Sequence, residues 1–161
     1  MAINNIMVCV AAEGISMITV KYGVALANIF KAKLSVIYVV NERLLHELLK
    51  SGVLVDMEAR DYEKDLEEQG RLFLSRIRSM SDKMGVACDA AILKGIVHEE
   101  IIKQANILNP DMLVMGELKE VLSLKETFYD EGERIFREAP CPVVVVKNAA
   151  LVEKLYNECT H

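Results

Sequence analysis

Few residues of this 161-residue chain are of types that do chemistry: three histidines (His46, His98, His161) and four cysteines (Cys9, Cys88, Cys141, Cys159). A metal centre or a thiol nucleophile would need them grouped, as CxxC pairs or as Cys with His at ligand spacing. They are scattered instead, and Cys9 and Cys88 lie in apolar segments, where reduced structural thiols are expected. His46 falls on a short amphipathic stretch and His98 at the start of a helical one, so both are expected to be solvated surface residues. No H-E-x-x-H, G-x-S-x-G or G-x-x-x-x-G-K-S/T pattern occurs. The acidic pair Glu99-Glu100 sits where a helix begins, and favourable interaction with the helix dipole accounts for it. These residues point to neither an enzyme nor a metal site.

The elements that would position a binding site follow from spacing. Apolar residues make up 52% of the chain and charged residues 27%, an ordinary globular composition. The net charge of −5 argues against a general grip on nucleic acid or an anionic membrane. No apolar run approaches the ~20 residues that span a bilayer, and the opening Met-Ala-Ile-Asn-Asn lacks a basic leader region. We expect a single cytoplasmic domain over 1–161, with a core at 5–147 and a C-terminal helical extension at 148–161.

Ile6–Val10 and Leu34–Val40 are near-continuous apolar runs, expected as strands covered on both faces. Between them a helix opens near Ser16, with Met17, Val20, Val24 and Ala27 on one face. The stretch from Asn41 to Gly85 reads as a short helix, Leu44–Leu49, and a long one carrying Leu66, Phe73, Ile77, Met80 and Met84 on one face and capped by Gly85. A third strand is expected at Val86–Leu93, interrupted by Asp89. A helix follows at His98–Leu108, with Ile101, Ile102, Ala105 and Leu108 inward and Asn109-Pro110 as its stop. Then come a fourth strand, Asp111–Met115, ending on Gly116, and a helix around Glu131–Glu138. Pro140-Cys141-Pro142 precedes a fifth strand, Val143–Val146, and the tail is helical from Ala149 to Glu158. This alternation implies right-handed parallel crossovers and an α/β, doubly wound sheet. Such sheets bind ligands beyond the carboxyl ends of the strands, here at Ala11-Ala12, Val40-Asn41, Lys94-Gly95 and Met115-Gly116.

In the order and spacing of these pieces the chain resembles the universal stress protein family from about Asn5 to Lys147. The resemblance rests on Ile6–Val10, on Gly95-Ile96-Val97-His98-Glu99-Glu100-Ile101, on Pro110–Gly116, and above all on Arg137-Glu138-Ala139-Pro140-Cys141-Pro142-Val143-Val144-Val145-Val146. It implies a five-stranded parallel sheet in order 3-2-1-4-5 with helices on both faces, of the adenine nucleotide alpha hydrolase-like type, and a homodimer. It also implies a test. ATP-binding members carry Gly-x2-Gly-x9-Gly-Ser/Thr/Asn after the fourth strand. Gly116 matches the first glycine, but the second falls at Lys119, and the third with its partner falls at Tyr129-Asp130. The aspartate that ends the opening strand of such members is Ala11 here. A residual nucleotide pocket would involve Ala11, Val40, Gly95, Met115 and Gly116.

Glycine lets backbone N–H groups approach phosphate oxygens with no Cβ in the way. A tyrosine would fill that space, and Asp130 would set an anion there. Between Glu117 and Glu138 seven acids face four bases, net −3. Each like-charge contact at ~4 Å in an effective dielectric near 20 costs roughly 4 kcal/mol before screening. A second acidic stretch, Asn41–Gly70, is net −5 and reads as a solvated helix face or a docking surface for a basic partner. The expectation is a non-enzymatic protein of the stress response, without a resident cofactor, acting as a homodimer through Val143–Val146 and by contact with another protein. The alternative is a regulatory binder of ATP or AMP.

Overall fold

The computed structural model describes residues 3–11, 16–116 and 125–160, with the backbone alone at 125–130. Elements alternate as the spacing implies: β1 (Asn5–Ala11), α1 (Met17–Phe30), β2 (Lys33–Asn41), α2 (Glu42–Lys50), α3 (Asp56–Lys83), β3 (Cys88–Gly95), α4 (Val97–Leu108), β4 (Met112–Gly116), α5 (Lys125–Glu138), β5 (Val143–Val146) and α6 (Ala149–Cys159). All strand pairs are parallel, in the order β3-β2-β1-β4-β5.

The strand pleat divides the core into two layers. Ile6, Val8 and Val10 of β1 join Leu34, Val36, Tyr38 and Val40 of β2 beneath α1 and α3. Met7 and Cys9, with Ile37, Val39, Leu113 and Met115, face α4 and α5, which contribute Val97, Ile101, Ala105 and Ile135. A strand buried on both faces must be apolar at every position, which is why β1 reads as an unbroken run.

Tyr38 shows how tightly one layer is joined. Its hydroxyl donates to the Leu66 carbonyl at 2.9 Å, inside α3. Gly70 faces the ring, where a Cβ would stand 2.7 Å from Tyr38 Cε1. The C-terminal helix α6 docks chiefly on α1. Val152 is buried there, and Lys21 pairs with Glu153 at 2.7 Å while lying over the Tyr156 ring.

Several boundaries and faces differ from expectation. The third strand begins at Cys88 rather than Val86, because Gly85 (φ +68°) and the turn back to Ser81 occupy the preceding residues. Asp89 does not interrupt it, since β3 is an edge strand and the carboxylate meets Lys33 at 2.7 Å in solvent. Leu108 is exposed, because α4 ends in a left-handed turn at Asn109 (φ 48°). Leu74, absent from the expected face of α3, is buried beside Phe73. The fifth helix begins at Lys125, six residues before Glu131.

Candidate functional site

The parallel register brings the carboxyl ends of the strands to one edge. Ala11 closes β1 opposite Val39 of β2, and Val40 and Asn41 stand beside Lys94 and Gly95 of β3. Cys9 aligns with Met115, and Gly116 with Val146 of β5. Ala11, Val40, Gly95, Met115 and Gly116 thus lie along this edge, spread over the four strands β3, β2, β1 and β4. Val40 and Met115 are buried in the core and offer the edge backbone, whereas Ala11 and Gly116 are half-buried. Lys119 lies outside the described residues, and Tyr129 and Asp130 belong to the backbone of α5.

Two glycines at this edge are in close quarters. At Gly116 a Cβ would come 2.6 Å from Thr19 Oγ1, so the buried first turns of α1 approach the β4 backbone closely. Gly95 adopts φ +149°, a conformation few other residues tolerate. Glu100 folds back over it, with Oε1 2.9 Å from where a Cβ would lie.

The amino end of α4 carries the most developed polar cluster. Ile96 precedes the helix and has no side chain able to cap it. Glu131, from α5, supplies the acceptor: its Oε2 accepts the His98 backbone N–H at 2.5 Å and lies 2.7 Å from His98 Nδ1. Both side chains are about 6% exposed. Arg43 Nη1, at the start of α2, stands 3.6 Å from Glu131 Oε1, and Arg134 Nη1 lies 3.3 Å from His98 Nε2. An arginine can only donate, so Nε2 accepts and Nδ1 carries the proton that Glu131 receives. His98 is therefore a buried, fully bonded residue, correcting the expectation of a solvated one. His46 is exposed as expected. The one sequence sign of Glu131's role is the missing N-cap before α4, which demands an acceptor from elsewhere.

The thiols are not poised for nucleophilic chemistry. Burial pushes Cys9, Cys88 and Cys141 above the ordinary thiol range, with neighbouring groups adding smaller effects, and all four cysteines are unpaired. Among the described residues no cluster of three or more His, Cys, Asp or Glu could hold a metal ion. Among them, too, no helix is long and apolar enough to cross a membrane.

The parallel order 3-2-1-4-5 with helices packed on the sheet is that of a doubly wound α/β protein. The model of the universal stress protein family matches residues 2–147, and the chain belongs to that family. It is 26% identical over 144 residues to universal stress protein MJ0531 of Methanocaldococcus jannaschii, covering 89% of this chain and 82% of that one. A solved universal stress family protein from Burkholderia pseudomallei has the same fold, with TM-score 0.65, 20% identity and coverage of 91% and 98%. So does a family protein from Arabidopsis thaliana solved with AMP bound, with TM-score 0.54, 20% identity and coverage of 91% and 93%.

Proposed function

We infer that this universal stress protein is a non-enzymatic, cytoplasmic module of a stress response that acts through homodimerisation and contact with another protein, without tight ATP binding. The observation that carries the reading is where carboxylates stand. The amino end of a helix at the carboxyl edge of such a sheet is the natural seat of a phosphate. Here α4's amino end is already filled by the Glu131 carboxylate, and Glu100 lies over Gly95. Lys119, Tyr129 and Asp130, at the motif positions, point the same way.

The dimer part rests on β5. Among the described residues it is the last strand of the sheet, with β4 on one side and no strand on the other. Val143 and Val145 turn toward one core layer and Val144 toward the other. An apolar edge with unpaired N–H and C=O groups invites pairing, and a two-fold axis would satisfy it with the same strand of a second copy. The tail helix α6, the other element able to cover it, docks chiefly on α1.

The second reading, a regulatory adenine-nucleotide binder, is favoured by Gly116, which matches the first glycine of the ATP-binding motif, and by the AMP found in the Arabidopsis relative. Mass spectrometry of the denatured purified protein separates the two. The proposed function predicts no co-purified nucleotide; ATP or AMP at a stoichiometric level would establish the second reading.

A further inference from the structure

We propose that His98 operates a proton-dependent latch across the seam between α4 and α5, holding Arg134 when neutral and releasing it when charged. The geometry defines both states. In the first, Arg134, which can only donate, makes Nε2 the acceptor and leaves Nδ1–H to donate to Glu131. A solvent proton has one place to go, Nε2. Once there it faces another donor at 3.3 Å, so the Arg134 hydrogen bond is lost and two cations repel. The link to Glu131 becomes a charge pair at the same time and tightens. The half of the seam that joins α5 to α4 thus persists while Arg134 swings away.

The surroundings give Arg134 somewhere to move. It lines an open groove of about 480 Å³ between the helices, with His98, Glu99, Ile102, Lys103, Asn106 and Glu138. Among the described residues the charged groups facing His98 are Glu131 and Arg134 from α5, with Glu138 farther along that helix. Glu99 and Lys103 come from α4 itself, and Arg43 of α2 acts through Glu131. The sheet residues packed beneath α4 and α5 include the apolar Met7, Cys9, Leu113 and Met115. Glu138 and Glu99 line the same groove as acceptors for a released guanidinium. The exposed Arg134 guanidinium therefore changes from one tied to His98 to one untied in a groove that two acids also line. Histidine is the side chain suited to make such a change near neutral pH.

The test is nitrogen-15 NMR of the full chain, titrated from about pH 8 to about pH 5, following the His98 ring nitrogens and the Arg134 side chain together. The proposal predicts the Nδ1–H tautomer at high pH and an Arg134 transition with the same midpoint as His98. In Arg134→Met, removal of a facing cation raises the His98 midpoint. His98→Asn keeps a donor toward Glu131, removes the titration and leaves the Arg134 resonance flat. An Nε2–H tautomer, an Arg134 transition that does not track His98, or a midpoint unmoved in Arg134→Met would overturn it. None of these readouts involves nucleotide, so the result stands apart from the functional reading above.

Discussion

Replacing Glu131 with alanine removes one acceptor that serves two donors and an ion-pair partner in a buried place. The His98 N–H at the open end of α4 and the His98 ring N–H both lose their carboxylate, and Arg43 loses its neighbour at 3.6 Å. Hydrogen bonds to charged groups contribute about 1.5–3 kcal/mol each, and breaking a buried pair by removing one member costs about 3–5 kcal/mol. The pair interaction and the bonds overlap, so the expected loss is about 3–5 kcal/mol, a large share of a typical ~5–15 kcal/mol stability. Glu131→Gln keeps one neutral acceptor and is expected to lose about half as much. Two residues along the same helix, Glu133 pairs with Arg137 at 2.5 Å, but both are more than half exposed. Glu133→Ala should stay within about 0.5 kcal/mol. Urea unfolding followed by circular dichroism, with m-values compared among variants, measures all three. A Glu131→Ala loss below about 1 kcal/mol, or no larger than that of Glu133→Ala, would refute the idea that α4 is capped from α5.

Gly70→Ala sets a methyl 2.7 Å from a Tyr38 ring atom, and the hydroxyl bond to Leu66 keeps that ring from swinging aside. Overpacking of about 1–3 kcal/mol should outweigh the ~1 kcal/mol that alanine gains in a helix, giving a lower melting temperature; a rise would show that the contact relaxes freely. Asp111 accepts N–H bonds from Asn4 and Asn5 at 2.7 and 3.0 Å, which hold its carboxyl below the usual range. A lowered folded value means the stabilisation is present above the unfolded pKa of about 4 and is lost as pH falls through the folded one. Asp111→Asn should therefore show a shallower loss of stability on acidification than wild type, measured by melting from pH 6 downward; parallel curves would contradict this. For assembly, sedimentation of the wild type is expected at about twice 18.0 kDa. Val144→Lys or Val145→Lys, which sets like charges opposite each other across a two-fold axis, is expected as monomer or aggregate. A wild-type monomer at tens of micromolar would refute pairing through Val143–Val146.

Much of the sheet is legible in the sequence because burial on both faces leaves no choice of residue type. Ile6–Val10 and Val143–Val146 are apolar throughout and Leu34–Val40 is apolar but for Ser35, and they form β1, β5 and β2 with shifts of at most a residue or two. Where one side of a strand meets solvent the signal weakens, and Asp89 on the edge strand β3 reads as an interruption while it simply pairs with Lys33. The edge that carries Ala11, Val40, Gly95, Met115 and Gly116 was legible for the same reason, since strand ends and their order determine it. The cluster at α4 was not. A lone histidine at a helix start carries no mark of burial, and its carboxylate partner lies 33 residues away on another helix. Contacts at that separation are made by packing, which the local pattern of neither segment encodes. Leu108 fits the apolar stripe of α4 by spacing, yet the helix has already left the sheet there.

The acids at the carboxyl edge and the substituted motif are proposed to exclude a tightly held triphosphate. Titration calorimetry with Mg-ATP tests this exclusion most directly. No binding tighter than about 100 µM, near −5.5 kcal/mol, is expected, and a gain of affinity on Lys119→Gly, Tyr129→Gly and Asp130→Ser together, with Ala11 still short of the aspartate. A low-micromolar constant for the unaltered protein would contradict it.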